Sequence, residues 1–131
     1  MVVAVGLSGS WRLPVAYYLT NGAKADVQAM LIKTIISKLW ECGSLVVAIT
    51  FDGLPANIKT MQLLGSNIDA TSNSNAFPHP SCPTASIVPI LDACHMMKLA
   101  RNVLCDYQEI CIPKVGKAKW QHITSLHKKQ D

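Results

Sequence analysis

The chain has 131 residues, half of them apolar and 15% charged, with a formal net charge of +4. That length suffices for a domain with a buried core, and the composition excludes both a disordered chain and a basic tail. The mild positive balance permits contact with nucleic acid without arguing for it.

Five cysteines stand at positions 42, 82, 94, 105 and 111. No Cys-x-x-Cys pair occurs, so neither a zinc ribbon nor a thioredoxin-type site is supported, and the thiols read as free and buried in a reducing compartment. Met1 to Leu7 carries no basic flank, so no signal peptide is expected. No apolar run reaches the ~18 residues of a membrane span, so no membrane partner is expected.

In chain order, Val2–Leu7 reads as a strand, Ser8-Gly9-Ser10 as a turn, and Leu13–Thr20 as the returning strand of a hairpin. Pro14 places that second strand at an edge or at its own start. The first strand begins at Met1 with no lead-in, which points to a missing upstream element. A helix over Ala25–Cys42 follows, with Val27, Leu31, Ile35 and Leu39 as its apolar stripe and Met30 and Ile36 beside it. Asp26 and Lys38 suit the dipole at its two ends. Gly43 is a plausible stop.

Leu45–Phe51 is an unbroken apolar run that ends at Asp52. It reads as a central strand buried on both faces and flanked by strands on both sides. Gly53 frees the backbone to turn, and Pro55 suits the first turn of a helix over Leu54–Leu64 with Ile58, Met61 and Leu64 buried. Ser66–Ala85 has no periodicity and reads as a long loop. Ser86–Leu91 reads as a short edge strand because of Pro89. Asp92 caps a helix over Ala93–Cys105 with Met96, Leu99, Ala100 and Val103 on its apolar side. Residues 106–116 read as irregular, and Lys119–Lys128 as a last amphipathic helix presenting Trp120 and Ile123.

Asp52 is the main candidate for chemistry, because the rim at strand C-termini is where open α/β sheets bind ligands. As a metal ligand it would offer a carboxylate oxygen to Mg²⁺. Two-metal phosphoryl transfer needs several carboxylates holding ions about 4 Å apart, so one aspartate is not enough. The structural alternative is an Asp that turns the chain and caps the next helix. Asp92, His95, Lys98, Arg101 and Asn102 recur at helical spacing, either as contacts to phosphate or as an N-cap followed by solvated side chains. His79, His122 and His127 show no ligand spacing with one another. No Walker-type loop and no Gly-x-Ser-x-Gly elbow occurs.

Four stretches stand in register: Trp11-Arg12-Leu13-Pro14-Val15-Ala16-Tyr17-Tyr18-Leu19, Val47-Ala48-Ile49-Thr50-Phe51-Asp52-Gly53 with Asn57, Phe77-Pro78-His79-Pro80, and Asp92 through Asn102. Together they resemble the P-element-type transposases and their domesticated THAP-domain relatives. The tail around Lys119-Trp120-Gln121-His122-Ile123 and Leu126-His127 is similar to the segment that follows in that family. The resemblance implies an α/β fold: an incomplete ribonuclease H-like fold, a mixed β-β-α-β-α-β sheet followed by helices, with its first strand missing. It implies a partial ribonuclease H-like domain over residues 1–91 and the start of a helical, GTP-binding-type insertion over 92–131.

By motif, Asp52 matches the family's second catalytic acid and so a ligand of catalytic Mg²⁺. The first acid lies on the strand upstream of the hairpin, and the last follows the insertion, so both are expected to be absent here, as is the THAP finger. GTP binding belongs to the full-length family, and no individual GTP contact carries over. The resemblance further implies DNA, a second copy or related transposase chains as partners, and a nuclear location. The chain reads as a fragment or domesticated remnant, inactive alone. The alternative is a small α/β module that binds DNA or protein without catalysis, to which Lys114, Lys117, Lys119, Lys128 and Lys129 would contribute phosphate contacts. Should cleavage depend on Asp52, Asp92 or Asp69 would be the acid completing the site.

Overall fold

A computed structural model of the chain describes residues 1–19, 21–68 and 75–129. It divides into two compact units, Met1–Ile90 and Leu91–Asp131. The class is α/β, with strands and helices alternating along the first unit.

That unit opens with a hairpin of β1 (Val2–Val5) and β2 (Arg12–Ala16), paired antiparallel with Val3 opposite Pro14 and Val5 opposite Arg12. Just past β1, the Gly6 N–H donates to the Trp11 carbonyl at 3.2 Å. The Trp11 indole lies over Gly6 so closely that a Cβ there would stand 2.2 Å from its Nε1. Only glycine fits this approach. The second strand is shorter than the sequence suggests, and Thr20 lies outside the described residues.

The core is built by α1 (Ala25–Glu41), β3 (Ala48–Phe51), α2 (Pro55–Leu63), β4 (Phe77–Pro78) and β5 (Ser86–Leu91). Ala29, Ile36, Met61, Leu64, Phe77 and Ile87 form its buried cluster, with Ile32, Val46, Ile49, Phe51 and Ile68 packed against it. The buried face of α1 therefore runs through Ala29, Ile32 and Ile36, with Ile35 also buried, whereas Val27 and Met30 are exposed. The expected stripe is rotated toward Ala29, which shares the buried cluster with Met61 of α2. Thr60 seals that junction, its hydroxyl 2.8 Å from the Ala56 carbonyl and 2.9 Å from the Gln28 side chain. Gly65, at φ 103°, ends α2 in a conformation open to glycine.

Two strand assignments are corrected. Among the described residues the sheet order is β3-β5-β4, so β3 is an edge strand there and β5 is central, the reverse of the sequence reading. The apolar run misled because Leu45 is 49% exposed and Val47 is exposed as well, while Val46, Ile49 and Phe51 pack against the core. Pro89 misled for the opposite reason. Phe77 pairs with Ile87, so Pro89 falls beyond the end of the two-residue β4, where its missing N–H costs no ladder bond. The expected loop 66–85 also holds β4 and contributes Phe77 and His79 to the interior, at 2% and 3% exposure. Among the described residues the hairpin forms its own sheet, separate from β3-β5-β4.

The second unit comprises α3 (Ala93–Tyr107), β6 (Glu109–Ile112), β7 (Gly116–Lys119) and α4 (Trp120–His127). Residues read as irregular are in fact an antiparallel hairpin, Glu109 opposite Lys119 and Ile112 opposite Gly116. Its turn uses positive φ at Lys114 (66°) and Gly116 (141°), and Gln108 (65°) ends α3 in the left-handed region. A four-residue strand with one polar end shows too little alternation to be read from sequence. The cysteines are free as expected, but none is buried: Cys42, Cys94 and Cys111 are exposed, and Cys82 and Cys105 partly so.

Candidate functional site

Asp52 follows the last residue of β3 and is half-buried there. Its Oδ1 accepts the Leu54 backbone N–H at 3.2 Å and the Asn57 side-chain amide at 2.5 Å. Leu54 is the N-cap of α2, Pro55 opens the helix, and the Leu54 carbonyl takes the Asn57 and Ile58 N–H groups. Asp52 thus turns the chain from strand to helix, one oxygen committed to that turn. The two readings of this residue are compatible: the same bonds that shape the turn hold the carboxylate at the strand's end.

Asp92 caps α3 as expected, accepting from the Cys94 N–H at 2.9 Å and the His95 N–H at 3.4 Å. It stands with His95, Lys98, Arg101 and Asn102 in the second unit, whereas Asp52 stands in the first. Arg101 donates through Nε and Nη2 to Asn102 Oδ1 at 3.2 and 2.7 Å. Arg101, Asn102, Cys105, Asp106 and Trp120 line a cleft of about 340 Å³.

Lys117 reaches Glu109 Oε1 across the β6–β7 hairpin at 3.3 Å. That hydrogen bond, with the neighbouring Cys111 thiolate charge, holds its ammonium above the ordinary 10.5. Lys114, Lys119, Lys128 and Lys129 are exposed.

Among the described residues no group of three or more His, Cys, Asp or Glu side chains is placed to hold a metal ion. Asp69 lies outside those residues. The acids among the described residues do not make a resident Mg²⁺ site, since a lone carboxylate with one engaged oxygen supplies too few ligands.

Sequence reasoning passed over the surroundings of His79. Its Nδ1 accepts the Ser81 N–H at 3.1 Å, its ring meets Trp40 edge-on at a centroid distance of 5.6 Å, and its Nε2 is buried without a partner. Its place in the Phe77-Pro78-His79-Pro80 stretch was the only available signal.

The family model of the TNP-like RNase H N-terminal domain matches residues 1–65, and that of the TNP-like GTP-binding insertion domain matches residues 94–131. Human DNA transposase THAP9 is 35% identical over 126 residues, which is 96% of this chain. A chain of the Drosophila P element transposase strand transfer complex matches the fold over 96% of this chain, with a TM-score of 0.72 and 30% identity. This chain is a relative of the P-element-type transposases. It spans 14% of the length of the human transposase and 26% of the solved Drosophila chain. The first family match lies wholly within the first structural unit and the second wholly within the second.

Proposed function

We propose that the chain is a fragment or domesticated remnant of a P-element-like DNA transposase, carrying the part of the ribonuclease H-like domain that holds the second catalytic acid. Residues 1–91 are its partial ribonuclease H-like domain and 92–131 the start of the GTP-binding-type insertion. The observation that carries this reading is Asp52, held by Leu54 and Asn57 where β3 gives way to α2, within a chain matched over 96% of its length by a transposase in a strand transfer complex.

In a site completed by further acids, Asp52 would be one of the residues holding a divalent cation, whose chemistry there would be electrostatic stabilisation of phosphate oxygens. The matched positions supply only this one of the family's acids. The chain alone therefore binds Mg²⁺ weakly and neither cuts nor joins DNA. DNA is its partner, its location is nuclear, and GTP belongs to the longer family members. No helix among the described residues is long and apolar enough to cross a membrane.

A second reading, a binding module without catalysis, is favoured by the exposed lysines of the second unit, which suit sequence-indifferent phosphate contacts. Incubation of the chain with labelled DNA and Mg²⁺ or Mn²⁺ tests the proposal. No strand cleavage is expected. Cleavage that disappears in Asp52→Ala would overturn it.

A further inference from the structure

We propose that the cleft between α3 and α4 takes one unpaired base of single-stranded DNA, stacked on Trp120 and read on its pairing edge by Asp106. The inference deepens the reading of DNA as the partner and rests on it.

The cleft is built by the way α3 ends. Gln108, left-handed at φ 65°, closes the helix, and its side-chain amide donates back to the Cys105 carbonyl. The Gln108 carbonyl in turn accepts the Trp120 N–H at 2.9 Å. The first residue of α4 is thereby tied to the end of α3, with the β6–β7 hairpin spanning the chain between them. Trp120 is half-buried there and lines the cleft with Arg101, Asn102, Cys105 and Asp106. The volume of about 340 Å³ stands at the lower end of small-ligand clefts, so it suits one ring system rather than a bulky ligand.

Each wall complements a different part of a nucleotide. An indole stacks on any base, because every base has a π-face. The Asp106 carboxylate has no hydrogen-bond partner among the described residues, and an ionised carboxylate only accepts. Every base carries an N–H on its pairing edge. In a duplex that hydrogen is already given to the opposite strand, so only an unpaired base can offer it to Asp106. Arg101 commits Nε and Nη2 to Asn102 Oδ1 at 3.2 and 2.7 Å, which leaves Nη1 to meet a phosphate.

Lys98 lies one turn before Arg101 on the same side of α3, and Lys119 precedes Trp120; both are exposed. Each wall of the cleft therefore has a cation beside it in the chain, as a run of successive phosphates requires. A free nucleoside triphosphate is the poorer fit. Its clustered charge calls for several donors at one point, and the cleft holds one guanidinium beside a carboxylate.

The test titrates the full chain into a labelled mixed-sequence single strand of ~12 nucleotides and into its duplex at matched salt, by fluorescence anisotropy. The single strand is expected to bind tighter, on the order of tenfold. In NMR the Trp120 indole N–H should shift with the single strand and not with the duplex. Trp120→Ala is expected to remove the preference and Trp120→Phe to keep it. Asp106→Ala, which on charge alone would tighten binding to any DNA, is expected to narrow the preference instead. Equal affinity for the two forms, a Trp120 resonance unmoved by the single strand, or displacement of the strand by free GTP would each overturn the proposal. Duplex binding without a preference sinks the cleft and leaves DNA as the partner, whereas binding to neither form sinks both.

Discussion

At Asp52, one oxygen does structural work, and under the proposed function the other is left for chemistry. Asp52→Ala removes the acceptor for Leu54 and Asn57 and is expected to cost about 1 kcal/mol, as loss of a capping side chain does. Asp52→Asn keeps an oxygen in place and is expected to cost less while abolishing the charge. Urea unfolding of the two variants separates the roles: equal losses would mean that the charge, not the turn, holds the chain there. Lys117 gives a pH signature. Its folded pKa lies above 10.5, so the stabilisation from Glu109 is fully present below 10.5 and is lost as pH rises through the folded value. Glu109→Gln is expected to bring the Lys117 titration, followed by side-chain NMR, back down toward 10.5. An unchanged titration would show that Glu109 is not the cause.

Two elements of the first unit are expected to fail differently. Phe77→Ala empties the centre of the buried cluster, at a cost of ~3–5 kcal/mol. Against a typical total of ~5–15 kcal/mol, that is enough to shift the unfolding midpoint sharply in chemical denaturation. Gly6→Val places side-chain atoms inside the Trp11 indole and is expected to open the β1–β2 hairpin. Because the hairpin contributes no residue to the buried cluster, β5 amides should keep their protection while hairpin amides lose theirs. Simultaneous loss in both would show that the hairpin and the core unfold as one.

For the whole molecule, the charge of +4 and the exposed lysines after α3 set the expected behaviour with DNA. Binding should be weak, indifferent to sequence and steeply reduced by salt. Lys128→Ala with Lys129→Ala should flatten the slope of log K against log salt, measured by fluorescence anisotropy. A slope unchanged by the double substitution would place the contacts elsewhere.

Local chemistry alone determined the hairpin around Ser8–Ser10, the long α1, the strand ending in Asp52, the proline-started α2 and the Asp92 cap. Each depends on residues within a few positions of one another: a turn dipeptide, a repeating apolar stripe, a proline at the first turn, a carboxylate beside free N–H groups. The same short stretches, taken in register, carried the transposase family. Strand order was decided only in three dimensions. An apolar run reads the same whether one or two neighbours cover it, and a proline reads as an edge signal whether or not its partner strand extends that far. The short β4 and the β6–β7 hairpin were invisible for a related reason: two to four residues show too few alternations to stand out, and such strands exist only because a partner strand fills their hydrogen bonds.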